Sequence, residues 1–321
     1  MSDEQIPTKP IADLNFPTTE ATADPDEHTV ALSKDVSLNQ INNTWVRIFL
    51  PREAVDSSYS SSSNKLPLIV YFHGGGFTML SPATKMNHDF CSELSAQLSC
   101  VIISVAYRLA PDHRLPAAYD DAMEAVHWIR TTQEEWLQKY VDFSNCFMLG
   151  DSAGGNIAYH AGLRAACEVH NLLPLNIRGL ILFKPFFGGV KRTESELRLA
   201  NEPDLPLSAS DSLWKLSLPI GVDRDHEYCN PMAGEGSKLL EQFKLLGWKI
   251  MVNGGYTDPL VDRQMELVKM MEEKGVKVES HFDESGHRMK DFIDPAKRNT
   301  LYAYIKNFLL SASAVADTSC E

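Results

Sequence analysis

The sequence predicts an α/β fold in which helices cover both faces of a mostly parallel central sheet. Short, continuously apolar runs such as LPLIVYF (66–72) and CVIISVAY (100–107) are typical of strands that are buried on both faces. Amphipathic segments separate these runs, and strands that alternate with helices in this way form parallel sheets. A chain of 321 residues is long enough for one large domain of this kind or two ordinary ones.

The individual elements can be placed by their periodicity. TWVRIFL (44–50) alternates as a strand does, and residues 86–98 carry an apolar side chain at every fourth position, which predicts a helix. The remaining predicted elements are a helix at 117–130, strands at 145–150, 179–183 and 248–252, a helix opened by Asp258-Pro259, a strand at 276–282 and a final helix around 301–308.

Two regions fall outside this alternation. Residues 1–40 are polar and without clear periodicity, so we expect an N-terminal arm that lies over a main domain spanning 41–321. Between about 190 and 240 the alternation breaks, and PLSASDSLWKLSLP (206–219) predicts a short helix between prolines. We expect this insertion to form, together with the arm, a cap over one end of the sheet.

Composition and charge exclude several classes of partner. The chain has 43 acidic and 30 basic residues, and its net charge of −13 disfavours nucleic acid and anionic membranes. No apolar run approaches the length of a membrane span, and the N-terminus lacks the apolar segment of a secretory signal. The six cysteines lie far apart, which indicates reduced thiols rather than disulfides or a zinc site. We therefore expect a cytoplasmic monomer or homodimer whose partner is a small molecule.

A G-x-S-x-G motif follows the predicted strand at 145–150. It reads GDSAG, from Gly150 to Gly154, and leads directly into a helix. Ligands bind at the carboxyl ends of parallel strands, and the small neighbours in this motif allow a sharp turn that exposes Ser152 there. The N-terminus of the helix favours negative charge beside the hydroxyl. The motif predicts a nucleophilic Ser152, the alternative being a glycine-rich turn with a serine N-cap.

A second motif, YFHGGGF (71–77), follows the first buried strand. Consecutive glycines let backbone N–H groups turn toward a ligand oxygen, although a merely flexible turn would also need them. Ester hydrolysis builds negative charge on the carbonyl oxygen, and donors placed in this way stabilise that charge. His73 is expected to brace the loop rather than to transfer protons. The predicted oxyanion hole is formed by two N–H groups from among Gly74, Gly75 and Gly76, together with the N–H of Ala153.

The third motif, TDPLVDRQ (257–264), follows the predicted strand at 248–252. Its Asp258 comes after Ser152 in the chain and before His287, so it is the predicted acid of a Ser-Asp-His triad. An Asp that precedes a Pro is also an ordinary helix N-cap, and this alternative stays open. Asp262 is a second, less favoured candidate for the acid.

These motifs, together with YRLAPDHRLPAAYDD (107–121), resemble the plant carboxylesterase family of α/β-hydrolases, which is related to hormone-sensitive lipase. The similarity covers roughly residues 25–310. The family also contains gibberellin receptors, isoflavanone dehydratases and alkaloid cyclases. The resemblance implies an α/β-hydrolase fold with a helical cap, no metal or organic cofactor, and attack of Ser152 on an ester carbonyl. Arg108 and Asp121 are expected to be held in internal ion pairs.

The sequence leaves two alternatives for the catalytic base. In the family, the His usually follows a Gly and a Phe or Tyr, whereas residues 285–288 read SGHR. Counting back from Asp294-Pro295 places Arg288, not His287, in the usual position of the His. Either the loop shifts by one residue and His287 still serves as the base, or the base has been lost. We favour His287, because no other His stands in the loop after the last predicted strand.

The function predicted from these residues is that of a serine carboxylesterase, which hydrolyses esters of small, fairly apolar molecules through an acyl-enzyme. If the base has been lost, the alternatives are a lyase or cyclase of plant specialised metabolism and, less favoured, a small-molecule receptor. The apolar residues of the insertion could equally belong to the hydrophobic core and make no contact with substrate. The residues expected to contact the substrate are Phe77, Trp214, Leu218 and Arg288.

Overall fold

In the computed structural model, a single sheet forms the centre of the molecule. The structure describes residues 16–23, 29–55, 65–233, 236–284 and 294–314. Within these ranges eight strands pair in the order β1-β2-β4-β3-β5-β6-β7-β8. The pairs from β4 to β8 are parallel, whereas β1 with β2 and β2 with β4 are antiparallel. The strands are β1 (Ala31–Asn39), β2 (Thr44–Pro51), β3 (Leu66–Phe72), β4 (Val101–Ala106), β5 (Val141–Asp151), β6 (Ile177–Phe183), β7 (Lys249–Gly255) and β8 (Lys277–Asp283).

Helices cover both faces of this sheet. Two of them, α2 and α11, bury their apolar side chains against one face, while α3, α5 and α10 pack on the other. No helix in the described ranges is both long enough and apolar enough to span a membrane. The helices are α1 (Arg52–Val55), α2 (Lys85–Leu98), α3 (Ala117–Thr131), α4 (Glu135–Tyr140), α5 (Ala153–Cys167), α6 (Val169–Leu172), α7 (Glu194–Arg198), α8 (Leu207–Ser217), α9 (Gly236–Leu245), α10 (Val261–Glu273) and α11 (Pro295–Ala314).

The continuously apolar runs form central strands, as predicted. Along β3, Leu68, Val70 and Phe72 enter one core layer, and Ile69 and Tyr71 enter the other. All five side chains are fully buried. Because successive residues of a strand point to opposite faces, a run with no polar break is what a strand covered on both sides requires. The predicted α/β-hydrolase architecture is confirmed.

Residues 31–39 differ from the prediction of an N-terminal arm, because they form strand β1. This strand lies at the edge of the sheet and pairs with β2, while the N–H of its Ser33 donates to the Thr22 carbonyl at 2.8 Å. An edge strand tolerates charged residues, and its Asp35 accepts hydrogen bonds of 2.6 and 2.7 Å from the buried guanidinium of Arg47. Because of these charged residues, the apolar/polar alternation that is typical of a strand cannot be recognised in this part of the sequence. The described part of the arm, 16–23, is held by a hydrogen bond of 2.7 Å from Arg47 to the Thr19 carbonyl.

The expected ion pair between Arg108 and Asp121 is confirmed. The carboxylate of Asp121, only 1% exposed, lies 2.7 Å from Nη2 of Arg108 and 2.9 Å from its Nε. The same carboxylate accepts the backbone N–H of Arg108 at 2.7 Å. The pair therefore joins the turn after β4 to helix α3, and its role is structural.

The segment between β6 and β7 contains α7, α8 and α9. Helix α7 is tied to the start of α10 and to the turn before it. The N–H of Ser195 donates to Asp262 at 2.7 Å, and its hydroxyl donates to the Pro259 carbonyl at 2.8 Å. Helix α8 lies against the glycine loop, where the hydroxyl of Ser217 donates to the Gly76 carbonyl at 3.2 Å. The segment thus contacts the loops that follow β3 and β7.

Candidate active site

Ser152 occupies a strained turn between β5 and α5. Its backbone has φ of 52° and ψ of −116°, a conformation that costs a non-glycine residue roughly 1–3 kcal/mol. The turn is held by the N–H of Ser152, which donates to the Phe183 carbonyl at 2.9 Å, and by the N–H of Phe186, which donates to the Ser152 carbonyl at 2.8 Å. A Cβ at Gly154 would lie 1.9 Å from the Phe72 carbonyl oxygen, so the turn requires glycine there. This is the geometry that presents a serine hydroxyl at the end of a sheet.

Three backbone N–H groups of the glycine loop and of the first turn of α5 are available as donors. Gly75 and Gly76 have φ of +106° and +58°, which directs this stretch of backbone away from β3. Ala153 is the first residue of α5, so its N–H has no partner within the helix. In the described part of the chain, no group accepts a hydrogen bond from the N–H of Gly75, Gly76 or Ala153. Such donors can stabilise an oxyanion at the end of the sheet.

Gly74, the fourth residue predicted for the oxyanion hole, has its N–H engaged by Asp151. The donor lies 2.9 Å from Oδ1 of that carboxylate, which also accepts the hydroxyl of Tyr71 at 2.5 Å. Burial raises the pKa of Tyr71 well above its usual value, and the negative charge of Asp151 raises it further. Asp151 therefore couples β3 and the glycine loop to the turn that carries Ser152. The motif does not predict this role, because Asp151 stands at its variable position.

His73 braces the glycine loop, as predicted. Its Nδ1 lies 2.7 Å from the Gly74 carbonyl, which can only accept, so Nδ1 carries the proton. The ring stacks on Tyr107 with 4.3 Å between centroids, and the Tyr107 hydroxyl donates to the His73 carbonyl at 2.7 Å. Burial lowers the pKa of His73 to about 4, so the imidazole is neutral near neutral pH.

We expect His73 to make the protein less stable in acid. The unfolded chain binds a proton at this residue near pH 6.5, whereas the folded chain binds it only near pH 4. The free energy of unfolding therefore falls as the pH is lowered through this window, by up to about 1.4 kcal/mol per pH unit. His73→Asn, which retains a donor for the Gly74 carbonyl, should reduce this slope in urea unfolding curves recorded from pH 7 to 4.

The exposed His113 provides the matched control for this experiment. His113→Asn should leave the dependence of stability on pH as in the wild type. Equal slopes in His73→Asn and the wild type would contradict the assignment of a buried neutral imidazole at position 73.

Asp258 is buried at the end of the loop that follows β7, with 1% of its surface exposed. Its Oδ1 accepts the backbone N–H of Leu260 at 2.9 Å, and its Oδ2 accepts Nε2 of Gln264 at 3.1 Å. Helix α10 begins only at Val261, so Asp258 shapes the turn before the helix instead of capping its first residue. Asp262, the alternative acid, is bound to Ser195 of α7 as described above.

The apolar residues predicted to contact substrate lie around the glycine loop. Phe77 follows the loop directly and is buried, and its ring centroid lies 5.5 Å from that of Trp214 in α8. Leu218 is buried at the end of the same helix. The structure thus brings Trp214 beside Phe77. His287 and Arg288, the other predicted site residues, lie outside the described residues.

Two further residues near Ser152 were not predicted. Phe186 follows β6, and its ring stacks on Trp214 with 4.7 Å between centroids and an angle of 6°. Asn156, the last residue of GDSAGGN, donates to the carbonyls of Phe186 at 3.1 Å and Tyr228 at 2.8 Å. Asn156 could have been identified from its place in the motif GDSAGGN. Phe186 belongs to no motif, so the sequence carries no signal for it.

The glycine loop offers a direct test of the oxyanion hole. A Cβ at Gly75 would lie 2.3 Å from the Met79 carbonyl oxygen, and φ of +106° is unfavourable for alanine. Gly75→Ala should therefore displace the N–H groups of the loop and lower kcat on p-nitrophenyl acetate by about 10²–10³-fold. Gly247→Ala is the control, because Gly247 also has a positive φ but has open space around it. Equal kcat values for the two variants would contradict the role of the glycine-loop N–H groups as oxyanion donors.

Comparison with known proteins agrees with this architecture. Residues 69–289 match the family described as having the alpha/beta hydrolase fold. The chain is 51% identical to carboxylesterase 20 of Arabidopsis thaliana, over 92% of this chain and 90% of that protein. It is 48% identical to a 3-O-acetylpapaveroxine carboxylesterase of Papaver somniferum, over 86% of this chain and 90% of the relative. An esterase of Pyrobaculum calidifontis superposes with a TM-score of 0.72 at 23% identity, covering 88% of this chain and 85% of its own. The chain belongs to the plant carboxylesterase family of α/β-hydrolases.

Proposed function

We propose that the protein is a serine carboxylesterase that hydrolyses carboxylic esters of small, fairly apolar molecules. The observation that carries the proposal is the strained turn at Ser152, which the hydrogen bond from Gly74 to Asp151 joins to the glycine loop. Relatives that are 48–51% identical and bear carboxylesterase names support the same activity.

In the proposed mechanism, Ser152 is the nucleophile, Asp258 the acid and His287 the base. Ser152 Oγ attacks the ester carbonyl carbon while the imidazole takes its proton, and the carbonyl oxygen becomes an oxyanion held by the three N–H groups. The C–O bond to the alcohol then breaks, and the imidazolium gives its proton to the departing oxygen. A water molecule repeats the sequence on the acyl-enzyme, which releases the carboxylic acid and restores Ser152.

We further propose that the insertion and the N-terminal arm cover this site. The contact of Ser217 with Gly76 supports a cap formed by α8, and the described residues 16–23 run beside the segment that precedes α2. For localisation we propose the cytoplasm, since the five cysteines that the structure describes are free thiols. The protein is expected to act as a monomer or a homodimer.

Hydrolysis of p-nitrophenyl acetate and butyrate tests the proposal, with Ser152→Ala as the matched inactive control. Wild-type turnover well above that of Ser152→Ala is the expected result. Turnover equal to that of Ser152→Ala across a panel of acyl lengths would contradict it. That outcome would favour the second candidate, a lyase or cyclase, for which the order SGHR at 285–288 is the specific argument, because Arg288 cannot act as a base.

A further inference from the structure

Gln264 contacts the carboxylate of the proposed acid directly. It belongs to the first turn of α10, and its side chain is fully buried. Its Nε2 donates to Oδ2 of Asp258 at 3.1 Å, while Oδ1 of the same carboxylate accepts the backbone N–H of Leu260 at 2.9 Å. A carboxylate that is held at one oxygen can still rotate about its last torsion, because that torsion has only broad minima. A donor on each oxygen therefore fixes the plane of the Asp258 carboxylate.

The backbone of the turn that carries Asp258 is held by other contacts. The N–H of Val261 donates to the Asp258 carbonyl at 3.1 Å. The hydroxyl of Ser195, in α7, donates to the carbonyl of the next residue, Pro259, at 2.8 Å. Since these bonds hold the main chain, the amide of Gln264 acts on the Asp258 side chain alone.

The carbonyl half of the Gln264 amide argues against a purely structural role. Its Oε1 is buried and has no hydrogen-bond partner in the ranges that the structure describes. This oxygen faces β7, since a Cβ at Gly254 would lie 2.4 Å from it. A buried acceptor without a partner lowers stability, so an apolar side chain of the same length would suit the core better. Gln264 therefore loses stability at Oε1 while its Nε2 binds Asp258.

The donor on Oδ2 of Asp258 is also uncharged. In the proposed mechanism, the negative charge of Asp258 stabilises the imidazolium that forms when the base takes the Ser152 proton. A cation at this position would cancel much of that charge, whereas an amide orients the carboxylate and leaves the charge in place. The preceding cation, Arg263, is bound elsewhere, because its Nη2 lies 3.4 Å from the buried carboxylate of Glu196.

We propose that Gln264 is a positioning residue of the triad, which holds the Asp258 carboxylate in the orientation that the base requires and preserves its negative charge. This inference rests on the proposed esterase function and adds a fourth residue to that site. Because the amide acts through Asp258 and not on the ester, its loss should lower kcat and leave KM nearly unchanged.

Gln264→Met removes the donor and keeps the length of the side chain. On p-nitrophenyl acetate it should lower kcat by about 10–100-fold, with KM within about twofold of the wild type. Met271→Ala is the matched control, since Met271 is also fully buried and lies two turns further along α10. It should lower the melting temperature at least as much as Gln264→Met, because it leaves a cavity, and keep kcat within about twofold of the wild type.

Gln264→Glu supplies a readout that a loss of packing cannot produce. A protonated Glu has nearly the shape of Gln, and its O–H can donate to Oδ2 of Asp258 in place of the amide N–H. Two carboxyl groups at this distance retain one shared proton until the pH is high enough to remove it against their mutual repulsion. The kcat of Gln264→Glu relative to the wild type should therefore fall by about tenfold or more between about pH 6 and pH 9.

Circular dichroism and melting curves establish that each variant is folded. The inference alone is overturned by a folded Gln264→Met with kcat within twofold of the wild type, by an equal loss of kcat in Met271→Ala, or by a constant ratio of Gln264→Glu to wild type across the pH range. If Gln264→Met does not fold, the pH profile of Gln264→Glu decides. Failure of both to fold would show a structural role only and also overturns the inference. A wild type no faster than Ser152→Ala overturns the esterase proposal instead.

Discussion

Ser152→Ala and His287→Ala are each expected to lower kcat on p-nitrophenyl acetate by about 10³-fold or more. The double variant should be little worse than either single one, because members of a triad act as a unit and the second loss removes nothing that still works. Steady-state kinetics of the three variants measures this. Ser144→Ala, a change at an exposed serine in β5, should behave as the wild type.

The outcome for His287 separates the two alternatives that the sequence leaves open. With His287 as the base, Arg288→Ala should affect KM more than kcat. If His287→Ala changes little, and replacement of residues 285–288 by GGFH greatly raises turnover, then the native His287 is not a competent base. The hydrolase mechanism would be contradicted, and the positive charge of Arg288 would instead point to an anionic substrate or intermediate.

The second large effect is expected for the acid of the triad. Asp258→Asn should lower kcat by about 10³–10⁴-fold, because an amide can neither hold the imidazole in the correct tautomer nor stabilise the imidazolium. The stability of the Asp258→Asn variant should differ little from that of the wild type. Asn Oδ1 still accepts the N–H of Leu260, and Gln264 can turn its amide so that Oε1, which has no partner among the described residues, accepts the new amide.

Asp262→Asn is the matched control for Asp258→Asn. Asp262 holds Ser195 of α7, so its replacement should lower the melting temperature slightly and leave kcat within a few-fold of the wild type. The opposite result, a large loss of kcat in Asp262→Asn and a small one in Asp258→Asn, would transfer the role of the acid to Asp262.

The central strands could be predicted because their environment constrains every residue. A strand such as β3, which is buried on both faces, favours apolar residues at every position, and its sequence shows this directly. Strand β1 lies at the edge of the sheet and bears Lys34 and Asp35, so its pattern resembles that of a loop. The difference between the two strands lies in their position in the sheet, which local sequence does not encode.

The candidate site was predictable to a similar extent. The turn at Ser152 and the glycine loop have local requirements for small residues, and short motifs carry these requirements. The bond from Gly74 to Asp151 and the stack of Phe186 on Trp214 join segments that are distant in sequence. No local pattern distinguishes such contacts, and only the structure shows that the N–H of Gly74, one of the predicted donors, is already bonded to Asp151.

Covalent labelling with a fluorophosphonate tests the central claim, a nucleophilic Ser152, most directly. The serine oxygen attacks phosphorus and fluoride leaves, so an activated serine becomes irreversibly modified. We expect one adduct per chain by intact mass, located by peptide mass spectrometry on Ser152, absent from Ser152→Ala and strongly slowed in His287→Ala. A folded wild-type protein that remains unmodified, or that is labelled as fast as Ser152→Ala, would contradict the account.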